Sequence, residues 1–392
     1  MIAKKRIAFV VSHPVQYYAP LHRRLAARGD LEVKVFFTWH DGADAVADRG
    51  FGRKFAWDVP LTEGYDRELV PNTARDPGTH HFRGLRNPEL AARVNAWQPD
   101  AIHLTGYAWA SHLSALRTWA ACGTPVLFRG DSHLLDGQRG FKAWLKSVML
   151  KRIFRWPRAF LCVGQANRRY YEAFDVPPDR LFQCPHSIEV ERFAEPQAEH
   201  EEAARAWRAE LGVKAGERVL LFAGKFEPKK RPVELMEAFL REAPAGWVLV
   251  MLGDGVLGGQ VRQIAERQPA RCRVLPFQNQ SRMPVAYRLG DVFVLPSAYA
   301  ETWGLAVNEA LACGRPVLVS DRVGCAEDVV EPGWNGLVFR HDDWRDFGAG
   351  VLSLETMLDR LEPSAIVRAA RRFDVTETEG TLMTVLRAVL DS

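Results

Sequence analysis

Cysteine is scarce in this sequence and shows no pattern. Six occur in 392 residues: Cys122, Cys162, Cys184, Cys272, Cys313 and Cys325, with no C-x-x-C spacing. That excludes a disulfide framework and a zinc ribbon. Most of the six stand in apolar surroundings, as the reduced thiols of a cytosolic protein do. No apolar run approaches the roughly 18 residues of a membrane span. There is no internal repeat and no low-complexity tract. Nor is there a large excess of one charge: 52 Lys and Arg face 48 Asp and Glu, so nothing demands a nucleic-acid partner. The opening MIAKKRIAFVVSHPVQYY has only a short β-branched apolar segment after its basic cluster. It reads as a first strand, with no secretory signal.

What is present is ordinary globular material. Hydrophobic residues make up 47% and charged residues 26%, which excludes a disordered chain, a fibrous repeat and a coiled coil. At roughly 100–200 residues per domain, the length implies two domains with full cores. The halves differ in charge: residues 1–190 carry 27 Lys and Arg against 18 Asp and Glu, leaving 25 against 30 for the rest. A basic first half and an acidic second half suggest different partners.

Short β-branched runs alternate with amphipathic stretches. Strands are expected at Ile7–Val11, Val33–Phe37, Ala101–Leu104, Val126–Arg129 and Ala159–Val163. In the second half they fall at Arg218–Phe222, Trp247–Leu252, Cys272–Leu275, Val292–Leu295, Val317–Ser320 and Gly336–Phe339. Such alternation predicts an α/β fold with two parallel sheets, each covered by helices. Residues 38–95 are less regular; a strand or two are expected around Ala56–Val59, with mobile loops elsewhere. The junction falls near Ile188–Ala194. Parallel sheets bind ligands at the carboxyl ends of their strands, so the residues just after each strand are where chemistry is sought.

The most informative segment is PSAYAETWGLAVNEALACGRPVLV, Pro296–Val319. A helix from about Gly304 to Ala312 is closed by Gly314 and Pro316. Glu301 lies in the loop before it and Glu309 lies inside it, so they cannot share one helical face. The amides of Thr302, Trp303, Gly304 and Leu305 crown the helix N-terminus, a ready anion site. Carboxylates on either side suit a sugar–diphosphate–ribose ligand. Upstream, Lys225 and Lys230 flank the loop Gly224–Pro232; two cations there can neutralise a diphosphate without a metal. Further loop features are Gly253-Asp254-Gly255 and Val323–Asp328, with Gly333 and Gly336 reading as turn formers.

Together these residues resemble the retaining GT-B glycosyltransferases, in particular family four. The pattern is E-x7-E, preceded by Pro-Ser and followed by E-A-x-A-x-G-x-P-V, with G-[RK]-x4-K upstream. Glu301 to Val317 and Gly224, Lys225 and Lys230 match it. The resemblance covers the second half nearly end to end and is thinner in the first.

It implies two Rossmann-like domains facing across a cleft: an acceptor-binding domain 1–190, a nucleotide-sugar domain 191–372, and a last helix, 373–392, crossing back to the first. It implies that Glu301 contacts the donor sugar and aids catalysis and that Glu309 holds the ribose. Lys225 and Lys230 would grip the diphosphate, and the backbone near Phe277 would read the base. It implies no cofactor and no metal, in keeping with the absence of a D-x-D pair. UDP- and GDP-sugars are the expected donors, although the base could also be adenine. A saccharide or lipid-linked acceptor in bacterial polysaccharide or glycoconjugate synthesis is expected, in the cytoplasm.

The first half departs from the family. Its first loop, Ser12-His13-Pro14-Val15-Gln16-Tyr17-Tyr18, lacks the usual Gly-Gly. Thr105 stands where a functional His is expected, while His103 reads as core. Arg129, Asp131 and His133 follow a strand and can hydrogen-bond a sugar or an anionic acceptor; a plain loop with a capping Asp fits equally. Ser12, His13, Gln16, Thr105, Arg129, Asp131 and His133 are therefore the acceptor or sugar contacts expected here. The stretch 139–158 carries Phe141, Trp144, Leu145, Val148, Met149 and Ile153 at helical spacing among Lys and Arg. The expectation is a helix packed on the sheet through that stripe; the alternative is peripheral contact with an anionic membrane. Rival functions are an epimerase or phosphorylase on the same fold, or a catalytically silent sugar- or nucleotide-binding subunit.

Overall fold

The computed structural model describes residues 4–40, 46–48, 53–137 and 140–391. The chain forms two compact units. The first comprises Met1–Ala45, Val59–His186 and Val375–Ser392; the second comprises Val46–Asp58 and Ser187–Asp374.

Strands are numbered along the chain. β1 (Lys5–Val11), β2 (Leu31–Phe37), β5 (Asp66–Leu69), β6 (Ala101–Thr105), β7 (Val126–Arg129), β8 (Ala159–Cys162) and β9 (Leu181–Gln183) build the first sheet. β3 (Val46–Asp48) and β4 (Arg53–Phe55) make a separate antiparallel pair grouped with the second unit. β10 (Arg218–Ala223), β11 (Trp247–Leu252), β12 (Cys272–Leu275), β13 (Val292–Leu295), β14 (Val317–Ser320) and β15 (Gly336–Phe339) build the second sheet. The orders are β5-β2-β1-β6-β7-β8-β9 and β12-β11-β10-β13-β14-β15, and neighbours within each run parallel.

All eleven expected runs form strands, and most are covered on both faces; the edge strand β15 is not, Val338 being 39% exposed. Alternation along β1 shows how both faces are covered. Ala8 and Val10 pack into one apolar cluster with Phe36, Ile102 and Leu104. Ile7, Phe9 and Val11 pack into another with Val33, Val35 and Phe37. Successive side chains point to opposite faces, so a strand buried on both sides reads as a continuous apolar run. The helix Val375–Leu390 closes the second cluster through Leu382, Val385, Leu386 and Val389.

Three expectations are corrected. Ala56–Val59 is not a strand; the strand there ends at Phe55. The edge strands β5 and β9 were not expected. DREL and LFQ are too short and too polar to show a strand period, and pairing with one neighbour suffices to extend them. Five of the six stripe residues on the helix Phe141–Ile153 are not core. Phe141 is 75% exposed and Trp144 60%, with Leu145, Val148 and Met149 also exposed. The helix packs through Leu150, half a turn round from Phe141 and Val148, and through Ile153, the one stripe residue that is buried. Gln138 and Arg139, and the side chain of Lys142, lie outside the described residues. No helix among the described residues is long and apolar enough to cross a membrane.

Candidate active site

In the second unit, the loops after β10, β11 and β13 share backbone hydrogen bonds at the carboxyl edge of the sheet. Phe226 N donates to Asp254 O at 2.8 Å and Ala298 N to Lys229 O at 2.9 Å. The loops meet so closely that a Cβ on Gly253 would lie 1.9 Å from Gly224 O. Gly253 is therefore required by the approach of two backbones.

This packing brings Lys230 to Glu301. Lys230 Nζ lies 2.6 Å from Glu301 Oε2, and the two side chains are only 13% and 12% exposed. Ser297 Oγ donates to the same oxygen at 2.9 Å. Burial opposes ionisation of Glu301, but the Lys230 ammonium outweighs it, aided by Lys229 and Ser297. The carboxyl is held below its ordinary range. The backbone that presents it is constrained. Ala300 has φ 51°, a left-handed conformation that costs a non-glycine residue energy and that clusters at functional sites. Gly324 N donates to Glu301 O at 2.9 Å, and a Cβ on Gly324 would meet Thr302 O at 2.0 Å.

Gly304, at φ 97°, begins the helix Leu305–Ala312. A Cβ there would press on Val323 at 2.9 Å and Leu295 at 3.1 Å. Thr302 is half-buried, Leu305 likewise, and Trp303 is buried, its Nε1 donating to Asn308 Oδ1 at 2.9 Å. Glu309, inside the helix, is 2% exposed and accepts from the Tyr287 hydroxyl at 2.6 Å. Lys225 is half-buried in the loop after β10. Phe277 follows β12 and lies 6.3 Å, centroid to centroid, from Trp57. Residues 56–58 dock on this loop: Asn279 Nδ2 donates to Ala56 O at 2.8 Å and Ser281 N to Asp58 Oδ1 at 3.0 Å.

Sequence reasoning missed Tyr287, Ser297 and Trp57. Ser297 stood inside the quoted Pro-Ser motif. Tyr287 lies 22 residues before its partner and Trp57 further still from Phe277, so neither spacing signals the contact.

In the first unit the expected residues also follow strands, but they do different things. Ser12 Oγ bonds His13 Nδ1 at 2.8 Å, and His13 packs against Trp39 and His40; Gln16 is half-buried in the same loop. Arg129 is 4% exposed and holds the chain after β9, donating to Cys184 O at 2.9 Å and Pro185 O at 3.1 Å. The loop that carries Asp131 and His133 is pinned by Asn167, which donates to Ser132 O at 2.7 Å. The Thr105 hydroxyl and His133 Nε2 are buried without hydrogen-bond partners among the described residues. His103 is buried against Phe9.

Two family models match the chain: a glycosyl transferase 4-like domain over residues 14–185 and glycosyl transferases group 1 over residues 204–372. A D-inositol 3-phosphate glycosyltransferase of Rhodococcus erythropolis is 32% identical over 368 residues, covering 86% of this chain and 77% of that protein. The chain belongs to the group 1 glycosyltransferase family. A protein of the same name from Nocardia farcinica is 31% identical over 221 residues, or 53% of this chain and 47% of that one. The match thus spans about half the length of that relative. Among solved structures, Anabaena HepE in complex with UDP and glucose has a TM-score of 0.71 at 18% identity, covering 98% of this chain and 100% of that one. Sucrose-phosphate synthase of Thermosynechococcus elongatus has a TM-score of 0.71 at 19% identity, covering 99% and 100%. At these identities the likeness is one of fold: two Rossmann-like α/β units of the GT-B class.

Proposed function

We propose that this member of the family transfers a sugar from a nucleoside-diphosphate donor to a saccharide, glycolipid or related acceptor, with retention of anomeric configuration and without a metal at the donor. The buried Lys230–Glu301 pair, set beside a helix N-terminus, carries the reading. Lys225 and Lys230 neutralise the diphosphate, and the amides of Thr302 to Leu305 add to the field there. Glu301 holds the donor sugar hydroxyls and is the catalytic carboxylate. Glu309, oriented by Tyr287, takes the ribose hydroxyls, and the backbone at Phe277 reads the base, UDP- and GDP-sugars being the donors favoured.

The acceptor oxygen attacks the anomeric carbon from the face that the phosphate oxygen leaves. The acceptor's proton passes to that departing oxygen, so the bond formed and the bond broken share one face and configuration is kept. Fixed cations stabilise the charge that grows on the diphosphate, and they need no reorganisation as it grows.

The acceptor belongs to bacterial polysaccharide or glycoconjugate synthesis on the cytoplasmic side, bound by first-unit loops that include Ser12, His13, Gln16, Thr105, Asp131 and His133. The exposed face of the helix Phe141–Ile153 rests on an anionic lipid surface. Its apolar residues are followed by exposed Arg152 and Arg155, the composition of an interfacial helix.

A thermal-shift panel with UDP, GDP, ADP, TDP and CMP, each with and without EDTA, tests the donor site. A nucleotide at a hundred times its dissociation constant adds about 2.7 kcal/mol, on the order of 5–10 °C. One nucleotide stabilising the chain regardless of EDTA supports the reading. No shift with any of them favours a silent subunit.

A further inference from the structure

We propose that Asp76, His80 and His81 in the first unit bind a divalent transition-metal ion of the zinc type, at a site separate from the donor residues of the second. Both imidazoles turn to Asp76, His80 Nε2 to its carboxylate and His81 Nε2 to its backbone carbonyl at 3.0 Å as well as to the carboxylate. His80 Nε2 lies 3.1 Å from Asp76 Oδ2 and His81 Nε2 lies 3.4 Å from it, and the three ligand atoms fall within 4.8 Å of one another. A tetrahedral ion with bonds of about 2.0–2.1 Å spaces its ligands about 3.3 Å apart, so an ion seats here with little movement. Two imidazoles and one carboxylate suit zinc and its neighbours rather than magnesium or calcium, which take oxygen. Three protein ligands leave a fourth position open to water or to an anionic group.

The loop is built to hold this shape. Asn72 ties its two ends: Oδ1 accepts from Ala74 N at 3.0 Å and from Arg86 N at 2.9 Å, and Nδ2 donates to Gly84 O at 2.9 Å. Trp109 Nε1 donates to Thr79 O at 3.1 Å. Gly78 and Gly84 are in such close contact that a Cβ on Gly84 would lie 2.0 Å from Gly78 O, and one on Gly78 would lie 2.6 Å from His80 Nδ1. A larger residue at position 78 would displace the His80 ring, and one at position 84 would displace the Gly78 backbone. The imidazole side chains are 34% and 37% exposed, and the carboxylate 66%. Ion pairing at such exposure is worth little. An ion accounts for why two neighbouring histidines gather on one aspartate, His81 Nε2 exchanging the Asp76 carbonyl for the ion when it binds.

The test is a calorimetric titration of the chelator-treated full chain with zinc chloride. One ion per chain is expected. Asp76→Ala, His80→Ala and His81→Ala should each weaken binding at least about tenfold, while His341→Ala, at the His341–Asp321 pair of the second unit, binds as the parent does. Zinc should raise the melting temperature of the parent and not of His80→Ala, whose melting in EDTA matches the parent's because the side chain is a third exposed. Failure to saturate at one ion per chain overturns the proposal. So does binding that survives the His80→Ala/His81→Ala pair, or that is abolished by alkylating the thiols alone. Nucleotide-induced shifts of His80→Ala report on the donor site independently, so either proposal can fall without the other.

Discussion

The carboxyl edges of the two sheets solve different problems. In the second unit, carboxylates take side-chain partners: Glu301 pairs with the Lys230 ammonium at 2.6 Å, and Glu309 accepts from the Tyr287 hydroxyl at the same distance. In the first unit, polar groups are spent on the backbone or left waiting. Arg129 is buried among carbonyls, and the Thr105 hydroxyl and His133 Nε2 have no partner among the described residues. A site meant for a diphosphate needs fixed charge and can be assembled before the ligand arrives. A site meant for neutral hydroxyls needs donors and acceptors that the ligand itself completes.

The contrast extends to acid, and here the largest effect is expected. The first unit buries His22, His103 and His112 with their pKa values pushed down by burial to about 3, 3 and 4. Unfolded, they titrate near 6.5. Each is then neutral when folded but protonated when unfolded, so its contribution is complete above pH 6.5 and is lost as pH falls towards 4. At pH 5 each costs about 2 kcal/mol. Glu301 works at lower pH: its carboxyl is depressed, so the Lys230 pair holds above the ordinary carboxylate range and is lost only below it. Acid unfolding followed by hydrogen exchange should open the first unit between pH 6 and pH 4, before the Glu301 loops. Simultaneous opening would remove the distinction.

The next largest effect is on turnover. Glu301→Gln keeps the shape but leaves Lys230 without its counter-charge and, on the function proposed above, the donor sugar without its carboxylate. A loss of about 10²–10³ in kcat is expected, with nucleotide affinity, read by thermal shift, changed far less. Turnover within a few-fold of the parent's would remove Glu301 from the chemistry.

A comparable energy is at stake on the helix Phe141–Ile153. Burying one large aromatic side chain contributes about 1.5–3 kcal/mol. Trp144→Ser should therefore lower binding to vesicles containing anionic phospholipid by about tenfold or more, without changing transfer to a water-soluble acceptor. Binding equal to the parent's, or equal binding to neutral vesicles, would make this face something other than a lipid contact.

Legibility followed the same division. The eleven apolar strands could be read because most of their residues are buried on both faces, and E-x7-E because its spacing is local; Lys230, 71 residues from Glu301, could be read only through its own G-[RK]-x4-K pattern. The polar edge strands β5 and β9, and Trp57 beside Phe277, could not, since long-range pairing sets them. The helix Phe141–Ile153 misled for a different reason. Its apolar residues run nearly all round, so helical spacing could not say which side faces the core; Leu150 took that role.

Tyr287 offers the finest test of the contrast. Its hydroxyl donates to Glu309 Oε2 in a buried setting, so removing it leaves the carboxylate one hydrogen bond short without deleting the carboxylate itself. Tyr287→Phe preserves the ring that packs on Phe193 and Phe293. A hydrogen bond to a charged group contributes about 1.5–3 kcal/mol, part of which ordered water restores, so about a tenfold loss of nucleotide affinity is expected. If Tyr287 acts only through Glu309, the loss should vanish in a Glu309→Gln background, since the two changes then share one interaction. It should also appear in KM for the donor more than in kcat. Additive losses, or a fall in kcat at unchanged KM, would mean that Glu309 is not the group that holds the ribose.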